Sequence, residues 1–510
     1  MRYIQETVER TRELREMLLR DRHRPYFHLV PPEGFYNDPN AMTYRNGRYH
    51  LFYLARTPAI RQDEPDTLEL SEVWDHVSSK DLIHWMIHPP ALKPAVDGST
   101  PLGIWSGGAV AGAPVPTLVY HVPGQGTCMA TSDDEYLENW TLHPKNPLIP
   151  MSSKEGPQPR FDENDKEYVV FDPTAWYEDG TYHLLLGNKS NKPGHEGDCT
   201  SYFTSTNMED WEYKGPFYKS KREWSSEETD CACPDFFPLG DRHMLLMHSH
   251  APRFHIHYYL GRRGETFEPE SYGKISQPTC SFLAAPESLI DDKGRRIMIA
   301  WVREAGGWDG WHKRGWASAM SLPTVLGLDD QSRLTLSPVT ELQQLRERLF
   351  DIPSQSLDSD QEVSLDGVRG TTLELELTID PQSSERCGFK VLCSPDGREE
   401  TTITWDPALG MIRGDFSKSS INEKIDYDRL IVDDLRQQDL PLSLDLGEKL
   451  KFKVFVDRSV VDVFVNERLC MTLRVYPELE ESDGVKVFSQ GGAIQLMQGQ
   501  AWSLTRSNPW

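Results

Sequence analysis

Two stretches of the chain that begin alike decide the fold. Asp38-Pro39 leads into 47–53 (GRYHLFY), and Asp172-Pro173 leads into 180–186 (GTYHLLL). In both, a turn dipeptide precedes a short apolar run that is typical of a strand. Weaker copies of this beginning occur at 105–107 (WSG), 234–237 (PDFF) and 286–288 (PES). Five such starts, about fifty to seventy residues apart, predict a β-propeller with five blades of four strands each.

The sequence on either side of the repeats predicts three further segments. Charged residues with apolar ones on one face indicate a short helical extension over 1–24. Leucines at helical spacing predict a linker helix over 337–350. After it, apolar and polar residues alternate, which is typical of antiparallel strands. We therefore expect an all-β protein with a five-bladed propeller over 25–336 and a β-sandwich over 351–510.

The balance of charges argues against several classes of partner. The chain has 54 basic and 79 acidic residues, a formal net charge of −25, and such a field repels phosphate backbones and anionic lipids. We therefore expect neither nucleic acid nor a membrane as a partner. The expected oligomeric state is a monomer or a homodimer. The first thirty residues do not resemble a secretory signal. A cytoplasmic protein is expected, or a secreted one if a signal has been removed.

Two pairs of histidines have a spacing that could bind a metal ion. His248 and His250 are spaced to share one strand face, as are His255 and His257, and such pairs can bind Zn²⁺ or Cu²⁺. Ordinary hairpin histidines are the favoured interpretation. We therefore predict no metal site.

Asp38 and Asp172 are the candidate catalytic residues. They occupy matching places in two repeats, and the innermost strands of a propeller converge on a central funnel, so both carboxylates should face one cavity. Cleavage of a glycosidic bond requires such a pair, in which one carboxylate attacks or stabilises an oxocarbenium-like centre and the other handles protons or sugar hydroxyls. Asn37, Trp74 and Trp105 lie close enough in the pattern to line a sugar pocket. The predicted partner is therefore a small carbohydrate.

The motifs around these residues resemble those of glycoside hydrolase family 32, the invertases, inulinases and levanases. The segment 35–41 (FYNDPNA) is similar to the family's Trp-Met-Asn-Asp-Pro-Asn-Gly. Further matches follow in the family's order: 74–76 (WDH), 79–85 (SKDLIHW), 105–108 (WSGG), 171–173 (FDP), 233–237 (CPDFF), 315–323 (GWASAMSLP) and 456–464 (VDRSVVDVF). The resemblance covers nearly the whole chain after residue 25. It implies a propeller followed by a sandwich, with no metal or organic cofactor.

The resemblance also implies roles for the matching residues. Asp38 matches the family's nucleophile, and Asp172 matches the residue that stabilises the transition state by holding sugar hydroxyls. The implied sugar-pocket positions are Asn37, Trp74, Trp105, Ser106 and Trp316. The implied reaction is hydrolysis or transglycosylation of a fructoside-like furanoside with retention of configuration.

Three positions in the same pocket depart from the family's pattern. Ala232 occupies the place of the acid/base glutamate, Phe171 the place of an arginine, and Leu54 the place of a glutamine. A pocket built to hydrogen-bond particular hydroxyls changes its selectivity when those groups are lost. We therefore keep all three as candidate substrate contacts. We expect a furanoside or related glycoside other than a plain β-fructofuranoside, with ordinary terminal fructosides, sucrose included, as poor substrates.

The missing glutamate leaves several interpretations open. Asp230 precedes Ala232 by two residues, so on a strand its side chain shares that face and could handle the proton. Glu227 and Glu228 lie nearby, and a substrate with a good leaving group would need no acid. The alternative to an enzyme is a sugar-binding protein of the same fold that has lost turnover. The retained Asp38 and Asp172 favour the enzyme.

A further segment, 306–314 (GGWDGWHKR), is rich in tryptophan and glycine. Aromatic faces stack on sugar surfaces, so it could be a substrate loop at the rim of the funnel. Packing between blades explains the tryptophans equally well.

Overall fold

The computed structural model describes residues 16, 18–30, 32, 34–56, 73–94, 103–151, 166–189, 194–226, 228–277, 279–280, 282–306, 314–427 and 430–508. Most of the predicted N-terminal helix, nearly all of the tryptophan-rich segment 306–314 and Glu227 lie outside these ranges. Residues 16 and 18–20 are helical. No helix among the described residues is long and apolar enough to cross a bilayer.

Residues 34–338 form five blades in chain order, and the parallel pairing of Val110 and Ala111 with Ala175 and Trp176 joins the second and third blades into one nine-stranded sheet. The first contains β1 (Gly34–Arg45), β2 (Arg48–Arg56), β3 (Val73–Ser79) and β4 (Trp85–Leu92). The second contains β5 (Gly107–Ala111), β6 (Thr117–Val122), β7 (Gly126–Thr131), β8 (Thr141–Leu142) and β9 (Ile149–Pro150). The third contains β10 (Pro173–Glu178), β11 (Thr181–Leu186), β12 (Thr200–Ser205) and β13 (Glu212–Tyr218). The fourth contains β14 (Ala232–Leu239), β15 (Arg242–Ser249), β16 (His255–Arg263) and β17 (Phe267–Lys274). The fifth contains β18 (Leu283–Ile290), β19 (Arg296–Val302), β21 (Ala319–Met320), β22 (Thr324–Leu328) and β23 (Leu334–Pro338).

The ring of blades is closed by a strand that follows the fifth blade's second strand. This strand, β20 (Trp316–Ala317), pairs in parallel with the start of β1. Gly34 N also donates a hydrogen bond to Gly315 O at 2.9 Å. Because closure leaves the first blade no free inner edge, the propeller needs no further strand to complete it.

Second strands of the blades are apolar along nearly their whole length because each blade packs face to face against its neighbours. In β11, Leu184, Leu185 and Leu186 are all buried, although a strand with one solvated face would alternate. The propeller prediction from the repeated strand starts is confirmed.

The remaining strands form a β-sandwich of two sheets, which confirms the second part of the predicted fold. The first sheet contains β24 (Arg346–Ile352), β25 (Gln355–Leu357), β27 (Thr372–Asp380), β32 (Leu450–Asp457), β33 (Val460–Val465), β34 (Leu469–Arg474), β36 (Ile494–Leu496) and β37 (Gly499–Leu504). The second contains β26 (Glu362–Arg369), β28 (Arg386–Cys393), β29 (Thr401–Asp406), β30 (Met411–Asp415), β31 (Gln437–Pro441) and β35 (Gly484–Gln490).

The joint between the domains differs from the predicted helix over 337–350. A short 3₁₀ helix covers only Thr340–Leu345, and β24 begins at Arg346. Leu342 and Leu345 are buried as helical spacing suggested, but Leu349 pairs with Trp502 in the sandwich. The pairing partner is distant in sequence, so local periodicity could not reveal the strand.

Propeller and sandwich share buried polar contacts. His28 hydrogen-bonds through Nδ1 to Asp457 at 2.7 Å and through Nε2 to Asp462 at 2.8 Å. Glu304, which follows β19, forms a buried ion pair with Arg474 of β34 at 2.5 Å. The two domains are therefore joined by ionic as well as apolar contacts.

Candidate active site

The innermost strands of the five blades surround the propeller axis. They are β1, β5, β10, β14 and β18, and each contacts the next around the ring. Asp38 lies in β1, Asp172 lies directly before β10, and Cys233 lies in β14. Three blades therefore bring these side chains to one end of the central funnel.

Asp38 is half-buried and accepts a hydrogen bond at Oδ2 from Ser106 Oγ at 2.6 Å. Cys233 Sγ lies 3.8 Å from the same oxygen. Burial raises the pKa of Asp38, although the Ser106 hydrogen bond and the charges of His250 and Lys189 oppose the rise. The contacts with Ser106 and Cys233 are both made to Oδ2.

Asp172 is the more deeply buried carboxylate, with 4% of its surface exposed. Cys233 N donates a hydrogen bond to Oδ2 at 3.3 Å, and Cys233 Sγ lies 3.7 Å from that oxygen. Burial raises the pKa of Asp172 to about 7, and the charge of Asp38 contributes to the rise. The two carboxylates meet at one cysteine and do not ionise independently.

The backbone around Cys233 explains why it reaches both carboxylates. The pairing of β14 with β15 is interrupted by a bulge between Ala232 and Asp235. Cys233 has a φ of 45°, in the left-handed region. A bulge of this kind redirects a side chain and frees an amide from the ladder, and here both the amide and the thiol of Cys233 point to aspartates.

Ser106 is held beside Asp38 by a close approach of two strands. A Cβ on Gly107 would lie 2.1 Å from Val119 O, so only glycine fits there. Gly107 N donates to Asn40 Oδ1 at 3.0 Å, and Asn40 Nδ2 donates to Asp38 O at 2.9 Å. These bonds fix β5 against β1 at the candidate nucleophile.

An apolar wall lies beside the two carboxylates. Phe171, Ala232 and Cys233 pack in one cluster with Trp105 against it, and the rings of Trp105 and Phe171 are 6.3 Å apart. Trp105 and Asn37 keep part of their surface exposed. Both therefore remain available to contact a ligand.

Three predicted sugar contacts are corrected because their side chains are enclosed. Leu54 and Trp74 are register partners on β2 and β3, with 3% and 0% exposure, and Trp74 Nε1 donates to Trp105 O at 3.0 Å. Trp316 is also 0% exposed, and its Nε1 donates to Asp21 Oδ2 at 2.8 Å. Side chains with so little exposed surface support the pocket from behind, and the same holds for Ala232, which is 1% exposed.

Asp230 forms its hydrogen bonds with Ser249 and His250. It accepts hydrogen bonds from Ser249 Oγ at 2.8 Å, from His250 N at 2.6 Å and from His250 Nδ1 at 2.8 Å. Burial alone would raise the pKa of Asp230, but the hydrogen bonds and charge of His250 hold it below its usual value. An ionised acceptor cannot donate a proton, so the predicted direct proton role of Asp230 is not supported. Glu228 is exposed.

Two basic residues near the carboxylates, Lys189 and His250, were not assigned to the site from the sequence. Lys189 Nζ lies 5.4 Å from the centroid of the Phe171 ring, and its charge acts on Asp38 and Asp172. In the sequence, His250 stood out only through its spacing from His248. No local motif joins either residue to the repeats, so only the folded arrangement identifies them.

Asp235 lies away from this site. Ser288 Oγ donates to it at 2.5 Å, and both lie with Glu287 and Arg296 along a cavity of about 390 Å³ toward the far ends of the innermost strands. Within the described ranges, no group of three or more His, Cys, Asp or Glu side chains is arranged to hold a metal ion.

Known proteins resemble the chain along nearly its full length. It is 27% identical to sucrose-6-phosphate hydrolase of Escherichia coli, with 94% of each chain covered. It is also 27% identical to the cell wall isozyme of β-fructofuranosidase of Pisum sativum, covering 90% of this chain and 91% of that one. The structure of fructan 1-exohydrolase IIa from Cichorium intybus superposes with a TM-score of 0.80 at 22% identity, covering 96% of this chain and 98% of that one.

Two family profiles match the chain in succession. The glycosyl hydrolases family 32 N-terminal domain matches residues 28–338. The glycosyl hydrolases family 32 C-terminal domain matches residues 341–503. The chain belongs to glycosyl hydrolase family 32.

Proposed function

We propose that the protein is a retaining glycosidase that hydrolyses or transfers a fructofuranosyl group. The observation that carries this proposal is the meeting of Asp38 and Asp172 at Cys233 in the funnel. Relatives named as a sucrose-6-phosphate hydrolase and a β-fructofuranosidase support a fructofuranoside as the substrate. The reaction requires no metal in this proposal.

Asp38 is the proposed nucleophile. Its carboxylate attacks the anomeric carbon as the glycosidic bond breaks, giving a covalent glycosyl ester with inverted configuration. Water or a sugar hydroxyl then displaces Asp38 and restores the original configuration. Because Ser106 donates to Oδ2, Oδ1 is the attacking oxygen in this proposal.

Asp172 is the proposed holder of sugar hydroxyls. With a pKa of about 7, it can accept hydrogen bonds when ionised and donate one when protonated. Either form binds a hydroxyl pair more firmly in this buried site than in water. Hydrogen bonds that strengthen in the oxocarbenium-like transition state lower the barrier.

Substrate selectivity is proposed to follow from the apolar wall. Phe171 and Ala232 present no hydrogen-bonding side chain where the family has an arginine and a glutamate. A sugar hydroxyl that an arginine or a glutamate would bind there finds no partner in this pocket, which costs about 1–3 kcal/mol. We therefore propose that the preferred substrate is a fructofuranoside other than sucrose.

A substrate panel tests this function. Purified protein is incubated with sucrose, sucrose 6-phosphate, a fructan trisaccharide and β-fructofuranosyl fluoride, and released fructose is measured against the Asp38→Asn variant. Release by the wild type and none by the variant is the expected result. Failure to release fructose from any of the four, fluoride included, would refute the proposal.

Ala232 favours a second function, that of a sugar-binding protein without turnover. Loss of a general acid costs about 10²–10⁴-fold in rate, while the aspartates can still hold sugar hydroxyls. Calorimetry with the same panel separates the two. Sugar binding that Asp172→Asn weakens, without release of fructose from the fluoride, would establish the binding protein.

A further inference from the structure

A buried aspartate and a histidine form a hydrogen-bonded pair beside the candidate site. His250 gives both its backbone N–H and its ring Nδ1–H to Asp230, and Ser249 Oγ gives a third hydrogen bond. Because the carboxylate of Asp230 is held in its ionised form, the hydrogen on this side of the imidazole belongs to Nδ1. Nε2 is then the nitrogen that can give up and take back a proton. Among the described residues, none hydrogen-bonds to Nε2.

The pair lies where the family's acid/base glutamate is missing. Ala232 is the register partner of His248, and the ring of His250 is 4.5 Å from that of His248. His250 also lies 6.2 Å from the ring of Phe171, which packs on Ala232. The truncated side chain at 232 and the end of β15 therefore border the same space.

His250 also lies near enough to the proposed nucleophile to act on its carboxyl group. Its charge acts on Asp38, as does that of Lys189. With 23% of its side chain exposed, His250 can be reached by a ligand, whereas His248 is 2% exposed. Of the two histidines, only His250 combines access, a carboxylate partner and proximity to Asp38.

We propose that His250 is the general acid and base of this site and that Asp230 is its positioning residue. This inference rests on the proposed glycosidase function, with Asp38 as nucleophile. In the first step, the proton on Nε2 passes to the glycosidic oxygen as its bond to the anomeric carbon breaks and the Asp38 ester forms. In the second step, Nε2 takes a proton from water, and that water's oxygen displaces Asp38. The enzyme returns to its starting state with no other reactant consumed.

Asp230 stabilises the imidazolium that is present before the first step and is restored by the second. It also fixes the ring so that Nε2 points away from Asp230. The arrangement replaces one carboxylic acid at position 232 with a two-residue unit built from the loop before β14 and the end of β15. Removal of Asp230 should therefore weaken proton transfer without removing the proton donor.

The test compares two substrates in the intact protein. An alkyl or sugar fructofuranoside needs a proton on its leaving group, whereas β-fructofuranosyl fluoride does not. We expect His250→Gln to lower kcat/KM about 10²–10⁴-fold for the first substrate and to leave that for the fluoride within about tenfold. Asp230→Asn should shift selectivity in the same direction to a smaller extent. His243→Gln, on the opposite end of β15, is the matched control and should change neither rate.

Azide supplies a second readout on His250→Gln. It attacks the glycosyl ester without a base, so it should raise kcat on the fluoride and yield a fructosyl azide of retained configuration. If His250→Gln does not fold, Asp230→Asn keeps the test decisive through the same selectivity shift.

Each other outcome has a distinct meaning. Equal losses on both substrates in His250→Gln and Asp230→Asn would show a structural role and overturn the inference. A wild type that cleaves only the fluoride would show that no acid operates, while the proposed glycosidase would stand. A wild type that cleaves neither substrate would refute the proposed function itself.

Discussion

Asp172→Asn should make the protein more stable at alkaline pH and leave it unchanged in acid. The pKa of Asp172 is about 7 in the folded protein, against 3.8 for an exposed aspartate, because burial and Asp38 disfavour its charge. Between these values the folded protein retains a proton that the unfolded chain has released, so stability falls as pH rises. This difference in pKa corresponds to about 4 kcal/mol in the free energy of unfolding, which the wild type loses between about pH 4 and pH 7.

Asparagine can still accept the hydrogen bond from Cys233 N, but it has no charge to bury. Urea unfolding followed by tryptophan fluorescence should therefore give similar stabilities for wild type and variant at pH 4.5. At pH 8 the variant should exceed the wild type by about 3–4 kcal/mol. Asp230→Asn is the matched control and should show the opposite sign at pH 8, because the pKa of Asp230 lies below its usual value. A difference between wild type and Asp172→Asn that is the same at both pH values would refute this reasoning.

Three further predictions concern the nucleophile and the domain interface. Asp38→Asn should abolish fructose release without lowering the free energy of unfolding, since asparagine can still accept from Ser106 and has no charge to bury; loss of fold together with activity would contradict it. Burial alone would lower the pKa of His28, but hydrogen bonds to Asp457 and Asp462 raise it to about 9. The free energy of unfolding of the wild type should therefore fall by about 3 kcal/mol as pH rises from 6.5 to 9. His28→Gln should remove that loss in urea titrations, and an unchanged pH profile would count against the interface. Arg474→Met should lower the free energy of unfolding by about 3–5 kcal/mol because it leaves Glu304 buried without its main partner. Adding Glu304→Gln to the same chain should restore part of this stability. Full stability of the single variant would show that the ion pair is dispensable.

The sequence predicted the fold because its signals are local and repeated. Similar strand starts recur in all five blades, two of them with the Asp-Pro dipeptide, and period-two alternation marks the sandwich strands. The segment over 346–352 was misassigned as part of a helix because β24 is defined by its pairing with β37, far along the chain. The spacing of leucines alone cannot distinguish a helix from a strand over this segment.

The candidate site was only partly predictable for a related reason. Asp38 and Asp172 could be found because matching places in repeated units converge on one axis. The tryptophans at 74 and 316 were assigned to the sugar pocket, yet their exposure depends on what packs around them. Asp230 was noticed for its position beside Ala232, but its bond to His250 joins two separate loops. Such contacts follow from tertiary structure and leave no pattern in the chain.

The contacts of His28 and Glu304 across the two domains have a consequence for engineering and evolution. A propeller produced alone would leave His28 without its two carboxylate partners and Glu304 with Arg314 but without Arg474. A sandwich produced alone would expose Arg474, Asp457 and Asp462. Neither half is a module that can be cut out or exchanged freely between relatives. Recombination within the gene would preserve the enzyme only when both sides of these contacts travel together, so the sandwich is inherited as part of the catalytic unit.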